Sequence, residues 1–136
     1  MRYLLDTNSL SYFFRGEGQI AQHLRMLTPP DIGIPAPVLY ESRHGMLRLS
    51  SGARHIALMS ALNRAVETMD VVPFDASAAE AAARIRTQFD STGIGIGPID
   101  VQIAGIAVAQ SATLVTRNVR EFSRVEGLAL ENWYDG

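Results

Sequence analysis

Residues 1–10, Met-Arg-Tyr-Leu-Leu-Asp-Thr-Asn-Ser-Leu, decide the fold. Tyr3, Leu4 and Leu5 form a short apolar run of the kind that makes a strand buried on both faces. Asp6, Thr7 and Asn8 then break it before a helical pattern begins. A carboxylate therefore stands at the carboxyl end of a central strand, the edge at which open α/β sheets bind ligands. Asp6 can equally be the cap of the next helix, a task that Asp, Thr, Asn and Ser all perform. Four such residues in a row, Asp6 to Ser9, exceed the needs of one cap and favour a functional Asp6.

Outward from this stretch, strand and helix signals alternate. Residues 9–15 predict a short helix stopped by Gly16, with Leu10, Phe13 and Phe14 as core. Residues 19–27 predict a second, ended by Pro29 and Pro30, with His23 on its solvated side. Ile32-Gly-Ile-Pro-Ala-Pro37 reads as a strand running into a helix over residues 37–49. Val38, Ser42, Met46 and Leu49 make that helix's apolar stripe, and Glu41 lies on its border. Spacing alone makes Glu41 a solvated residue with a packed stem.

Residues 53–68 predict a helix that forms an αα hairpin with the preceding one. Residues 71–74 predict a strand, with Pro73 marking an edge or a strand end. Asp75 and Ser77 can cap the next helix, and Ser77-Ala-Ala-Glu80 matches a capping box. That helix packs through Ala81, Ile85 and Phe89. Gly93-Ile-Gly-Ile-Gly-Pro98 lacks the dinucleotide fingerprint, because it follows a helix and its spacing is Gly-x-Gly-x-Gly, and it reads as a connector.

Residues 98–110 predict a helix apolar nearly all round, hence buried. Asp100 lies in its first turn. The helix dipole favours an acid there by about 0.3–1 kcal/mol, too little to offset several kcal/mol for desolvating an unpaired charge. Asp100 needs compensation. Residues 113–116 form another apolar strand ending in Thr116, Arg117 and Asn118. A single turn at 119–122 carrying Glu121, a strand at 128–130 and Trp133 as a C-terminal plug complete the pattern. Alternation of this kind implies a mainly parallel sheet with helices on both faces, which brings Asp6, Thr116 and Asp100 to one edge. Mutual repulsion among the acids there calls for a divalent cation, and an all-oxygen site favours Mg2+ or Mn2+ over zinc.

Composition narrows the chemistry. The 136 residues, 47% of them hydrophobic, fit one globular domain spanning residues 1–136. A formal net charge of −2 gives no whole-surface attraction to nucleic acid, so a polyanion must be held by local basic groups or metal ions. Without cysteine there are no disulfides, thiolate nucleophiles or cysteine-held metals. All 12 basic residues are arginine, which excludes a Walker A loop, a kinase site and a lysine Schiff base. Phosphoaspartate receivers and haloacid-dehalogenase-like phosphatases, which also begin with a strand-end Asp, fail on the same ground. No secretory leader pattern is present and no apolar run approaches about 18 residues, so a soluble, cytoplasmic location without membrane contact is expected.

Leu5-Asp-Thr-Asn8, Leu39-Tyr-Glu-Ser-Arg-His-Gly45, Ile96-Gly-Pro-Ile-Asp-Val-Gln-Ile-Ala104 and Ala112-Thr-Leu-Val-Thr-Arg-Asn-Val-Arg-Glu-Phe122, in that order and spacing, resemble PIN-domain ribonucleases of the VapC toxin type over essentially the whole chain. The resemblance implies a three-layer α/β/α PIN-like fold with a mainly parallel twisted sheet of four to five strands. It implies an Mg2+-dependent endoribonuclease, the toxin of a type II toxin–antitoxin pair. Metal would be bound at Asp6 and Asp100, and Glu41 joins the acidic site against the reading from spacing. The fourth acidic position falls to Glu121 or is filled by Asn118. Thr7 and Thr116 would hold water around the metal, and Arg43, Arg117 and Arg120 are candidate phosphate contacts, against the alternative that each is only surface. The expected partners are an RNA substrate, a second copy of the chain and a cognate antitoxin that masks the site, with operator DNA reached only through the antitoxin. Two other readings stand beside this one: an inert module whose acidic pocket holds a peptide, and a PIN-type nuclease acting on structured DNA.

Overall fold

A computed structural model describes residues 2–49 and 51–136. Five strands form one sheet: β1 (Tyr3–Leu5), β2 (Ile32–Pro35), β3 (Asp70–Val72), β4 (Thr113–Val115) and β5 (Ala129–Glu131). Their order is β3-β2-β1-β4-β5, and every neighbouring pair is parallel. Helices α1 (Thr7–Phe14), α2 (Ile20–Arg25), α3 (Ala36–Leu47), α4 (Ala53–Thr68), α5 (Ala76–Thr92), α6 (Pro98–Ala109) and α7 (Val119–Phe122) supply the connections. The sheet and its flanking helices match the three-layer arrangement expected from the sequence. Among the described residues no helix is long and apolar enough to cross a membrane.

The strand order fixes where a ligand can go. From β1 the chain winds outward through β2 to β3, then returns to the other side of β1 for β4 and β5. The direction of winding therefore reverses between β1 and β4, and in parallel sheets the crevice beyond the carboxyl ends of two such strands is the ligand site. Leu4, Leu5, Leu114 and Val115 are fully buried, so these strands are held on both faces and their ends are rigidly placed. Asp6 begins where β1 stops, and its backbone N–H donates to Val115 O at 3.1 Å.

Several local expectations are corrected. The helix after β1 starts two residues early, at Thr7, because Asp6 caps it. Ser77 lies inside α5 and its capping box does not form; Asp75 stands at the N-cap and its Oδ1 accepts from Ala78 N at 3.0 Å. Leu49 falls beyond the end of α3 and is exposed, so the apolar stripe runs only as far as Met46. His23 is not solvated surface: its ring stacks on Trp133 at 4.7 Å between centroids, and its Nε2 lies 3.0 Å from Gly136 O. Trp133, 2% exposed, plugs the C-terminal end as expected. Pro73 does follow an edge strand.

The α5–α6 packing is close enough to be sensitive to one methyl group. A Cβ at Gly105 would stand 2.7 Å from Ala78 O and 2.8 Å from Ala82 Cβ, neither of which can rotate away. Gly105→Ala should therefore destabilise the fold by about 1–3 kcal/mol, read as a lower midpoint in urea unfolding; an unchanged midpoint would show that the two helices can part at no cost.

Candidate active site

Four carboxylates from distant parts of the chain meet at the crevice between β1 and β4. Asp6, 5% exposed, serves two purposes at once. Its Oδ1 accepts from Ser9 N at 2.8 Å as the cap of α1, and the Thr116 hydroxyl donates to the same carboxylate. Burial pushes its pKa upward; the Thr116 and Ser9 hydrogen bonds act against that rise, and the charge of Glu41 adds to it. Ser9 also donates through Oγ to Val115 O at 3.1 Å, so α1 is tied to β4 directly beneath the acid.

Glu41, on α3, is brought in by a contact that helical spacing cannot show: Thr7 Oγ1 donates to its Oε1 at 2.5 Å. Asp100, in the first turn of α6, is half-buried and has its pKa raised to about 7. Desolvation is the largest cause, followed by a hydrogen bond with Glu121 and then by the charges of Glu121, Asp6 and Glu41. The neighbouring Glu121 therefore favours the protonated form of Asp100. Asn118 Nδ2 donates to Glu121 Oε2 at 3.3 Å, while Glu121 Oε1 is buried without a hydrogen-bond partner. Asn118 N in turn donates to Thr116 Oγ1 at 2.9 Å. Of the two candidates for the fourth position, Glu121 brings the charge and Asn118 supports it.

The arginines are placed differently. Arg43 donates to Asn63 Oδ1 at 2.9 Å and reaches Met59 Sδ at 3.5 Å, bracing α3 against α4. Arg117 lies 3.6 Å over the Tyr134 ring and 3.7 Å from Asp135. Arg120 is exposed on α7. Among the described residues, none of the three forms an ion pair with the four acids. Ser9 is a supporting residue that sequence reasoning missed, although its position three residues after a capping Asp is the usual signal for an amide that the cap will bind.

Among the described residues no group of three acidic or histidine side chains is already arranged to hold a metal ion. The donor set nevertheless suits a hard cation. It offers only oxygen, burial together with the charges of Glu121, Asp6 and Glu41 holds Asp100 up to about 7, and it leaves one buried carboxylate oxygen, Glu121 Oε1, without a donor.

A model of the PIN domain matches residues 3–128. The chain belongs to the PIN-domain family. PIN domains of this kind are nucleases that generally work with a divalent metal. Among relatives, the chain is 32% identical to ribonuclease VapC2 of Rickettsia felis and 30% identical to the tRNA(fMet)-specific endonuclease VapC of Shigella flexneri, each alignment covering 98% of both chains. The solved structure of VapBC2 from Rickettsia felis, bound to a DNA fragment from its promoter, superposes with a TM-score of 0.86 at 31% identity, covering 98% of this chain and 99% of that one. The PIN fold and the VapC likeness read from the four sequence stretches both hold.

Proposed function

We propose that this PIN domain is an Mg2+-dependent endoribonuclease, with Mn2+ able to substitute, and the toxin of a toxin–antitoxin pair. The observation that carries the reading is the convergence of Asp6, Glu41, Asp100 and Glu121 on the reversal point of a parallel sheet, with charge in excess of what the protein compensates. The relatives named ribonuclease and tRNA endonuclease support RNA, and tRNA in particular, as the substrate.

Asp6 and Asp100 are the residues that would hold the cation, which when bound activates water and neutralises charge on the scissile phosphate. Thr116 and Ser9 fix the Asp6 carboxylate in one orientation, so little reorganisation is needed on loading. Thr7 holds Glu41 by its Oε1, leaving Oε2 to orient an attacking water in line with the leaving oxygen. Glu121, steadied by Asn118, lies beside Asp100, and the proton that Asp100 gives up on loading passes to solvent.

The Rickettsia felis complex, a VapBC pair on promoter DNA, supports a cognate antitoxin for this chain, with operator DNA bound through that partner. A homodimer is supported by Tyr40 and Leu47, which α3 leaves 62% and 63% exposed, a pair of large apolar side chains that a second copy could cover. Incubation with tRNA and with single-stranded DNA of equal length, in Mg2+ or in EDTA, tests the activity. RNA alone should be cut, the chelator should stop cutting, and Mn2+ should restore it; no cutting in Mg2+, or equal cutting of DNA, would contradict the reading.

A further inference from the structure

A second concentration of charge lies beside the acids. A cavity of about 380 Å3 begins at Thr7 and Glu41 and is walled by Arg15, Arg48, Arg54 and Phe14. Three of the chain's 12 basic residues thus line one groove that opens on the candidate active site. Arg15 follows α1, Arg48 caps the C-terminal end of α3, and Arg54 lies in the first turn of α4, so three separate elements deliver these cations to one place. All three are exposed. Arg15 pairs with Glu17 at 3.0 Å, whereas Arg48 and Arg54 have no acidic partner among the described residues.

A strand of RNA faces an electrostatic problem here. The cleft that would cut it carries four carboxylates, and the net charge of −2 supplies no general attraction. Single-stranded nucleic acid is ordinarily held by a basic groove that tracks the backbone beside apolar or aromatic surface for the bases. Guanidinium groups suit this because their planar fork meets phosphate oxygens two at a time. We infer that this groove is the path of the RNA strand on one side of the scissile phosphate, with Arg48 and Arg54 each binding a backbone phosphate, Arg15 adding charge, and Phe14 offering its ring to a base. The inference rests on the ribonuclease reading and extends it by naming where the substrate lies. It also accounts for why none of the expected arginines pairs with the acids: the cations that share a groove with Glu41 are others.

The test compares the wild type with Arg48→Ala/Arg54→Ala and with Arg48→Lys/Arg54→Lys. Binding of a fluorescent RNA is followed over a salt series with Ca2+ in place of Mg2+, and cleavage of a long RNA and of a trinucleotide spanning only the cut is followed with Mg2+. The alanine pair should weaken binding about tenfold or more, uniformly across sequences, and reduce the slope of log affinity against log salt by about 0.7 for each phosphate that is no longer neutralised. The lysine pair should keep most of the slope. Cleavage of the long RNA should fall with binding, and that of the trinucleotide should not. Unchanged affinity and slope with cleavage intact would overturn the groove and leave the ribonuclease standing. Binding that depends on both arginines in a protein that cuts nothing would sink the ribonuclease and keep the groove. Loss of inhibition by an antitoxin, with RNA binding unaltered, would assign the groove to a protein partner and likewise overturn the inference.

Discussion

Asp100→Asn should remove RNA cleavage and, at the same time, raise the melting temperature of the metal-free protein above pH 7. The loss follows from taking one of the two proposed metal ligands. Charge stabilisation by a bound cation is worth several kcal/mol at the transition state, and each 1.36 kcal/mol is tenfold in rate, so a fall of about 10^3-fold or more is expected. The gain follows from the burial and, after it, the neighbouring acids that hold Asp100 up to about 7. Asparagine keeps a donor for Glu121 and removes the charge, so the fold loses an unfavourable contact and keeps a hydrogen bond. A merely structural Asp100 predicts the reverse, a lower melting temperature with activity falling only as the fold is lost. Single-turnover cleavage and thermal melts on the same preparation separate the two.

The second large effect is the dependence of stability on pH and on metal. Asp100, with a pKa of about 7 against an ordinary 3.8, binds its proton more tightly in the folded state than in the unfolded chain, and Asp6 is shifted in the same direction. The stability that Asp100 contributes is fully present below about pH 4 and is lost as pH rises through about 7, and Asp6 acts with the same sign. Because Asp100 is only half-buried, the loss is about 1–2 kcal/mol after allowance for solvent screening. The metal-free protein should therefore melt several degrees lower at about pH 8 than at about pH 5.5. Mg2+ reverses the trend, since its ligands bind deprotonated. At a hundredfold excess over its dissociation constant it should restore about 2.7 kcal/mol at the higher pH, and much less at the lower. Melting curves at the two pH values, with and without Mg2+, read both signs. A Mg2+ effect equal at both would mean that the acids carry no excess proton.

Asp6 and Asp100 are legible in the sequence for opposite reasons. Asp6 follows an apolar run so short and so abruptly ended that a strand terminus is the natural reading, and β1 stops one residue before it. Asp100 stands out because the rest of its helix is apolar, and Val101, Ile103, Ala104 and Ile106 are indeed buried around it. Glu41 is illegible from spacing, because what draws it inward is a hydroxyl 34 positions earlier, Thr7, and helical periodicity carries no information on a contact between helices. The same limit hides Arg48 and Arg54, which look like ordinary surface until α1, α3 and α4 are assembled. The unformed capping box at Ser77 is a competition between two nearby cappers, and Asp75 takes the Ala78 amide because its side chain sits where the chain leaves β3. His23 reads as surface in the sequence because its partner, Trp133, lies at the far end of the chain.

Titration calorimetry of the metal-free protein with Mn2+ at about pH 7, repeated in buffers of different ionisation enthalpy, measures how many protons leave as the ion binds. If the four acids form one site in which Asp100 holds a proton up to about pH 7, binding should release a substantial fraction of one proton, and Asp100→Asn should abolish both the release and most of the affinity. Binding without proton release, unaltered in that variant, would contradict the account.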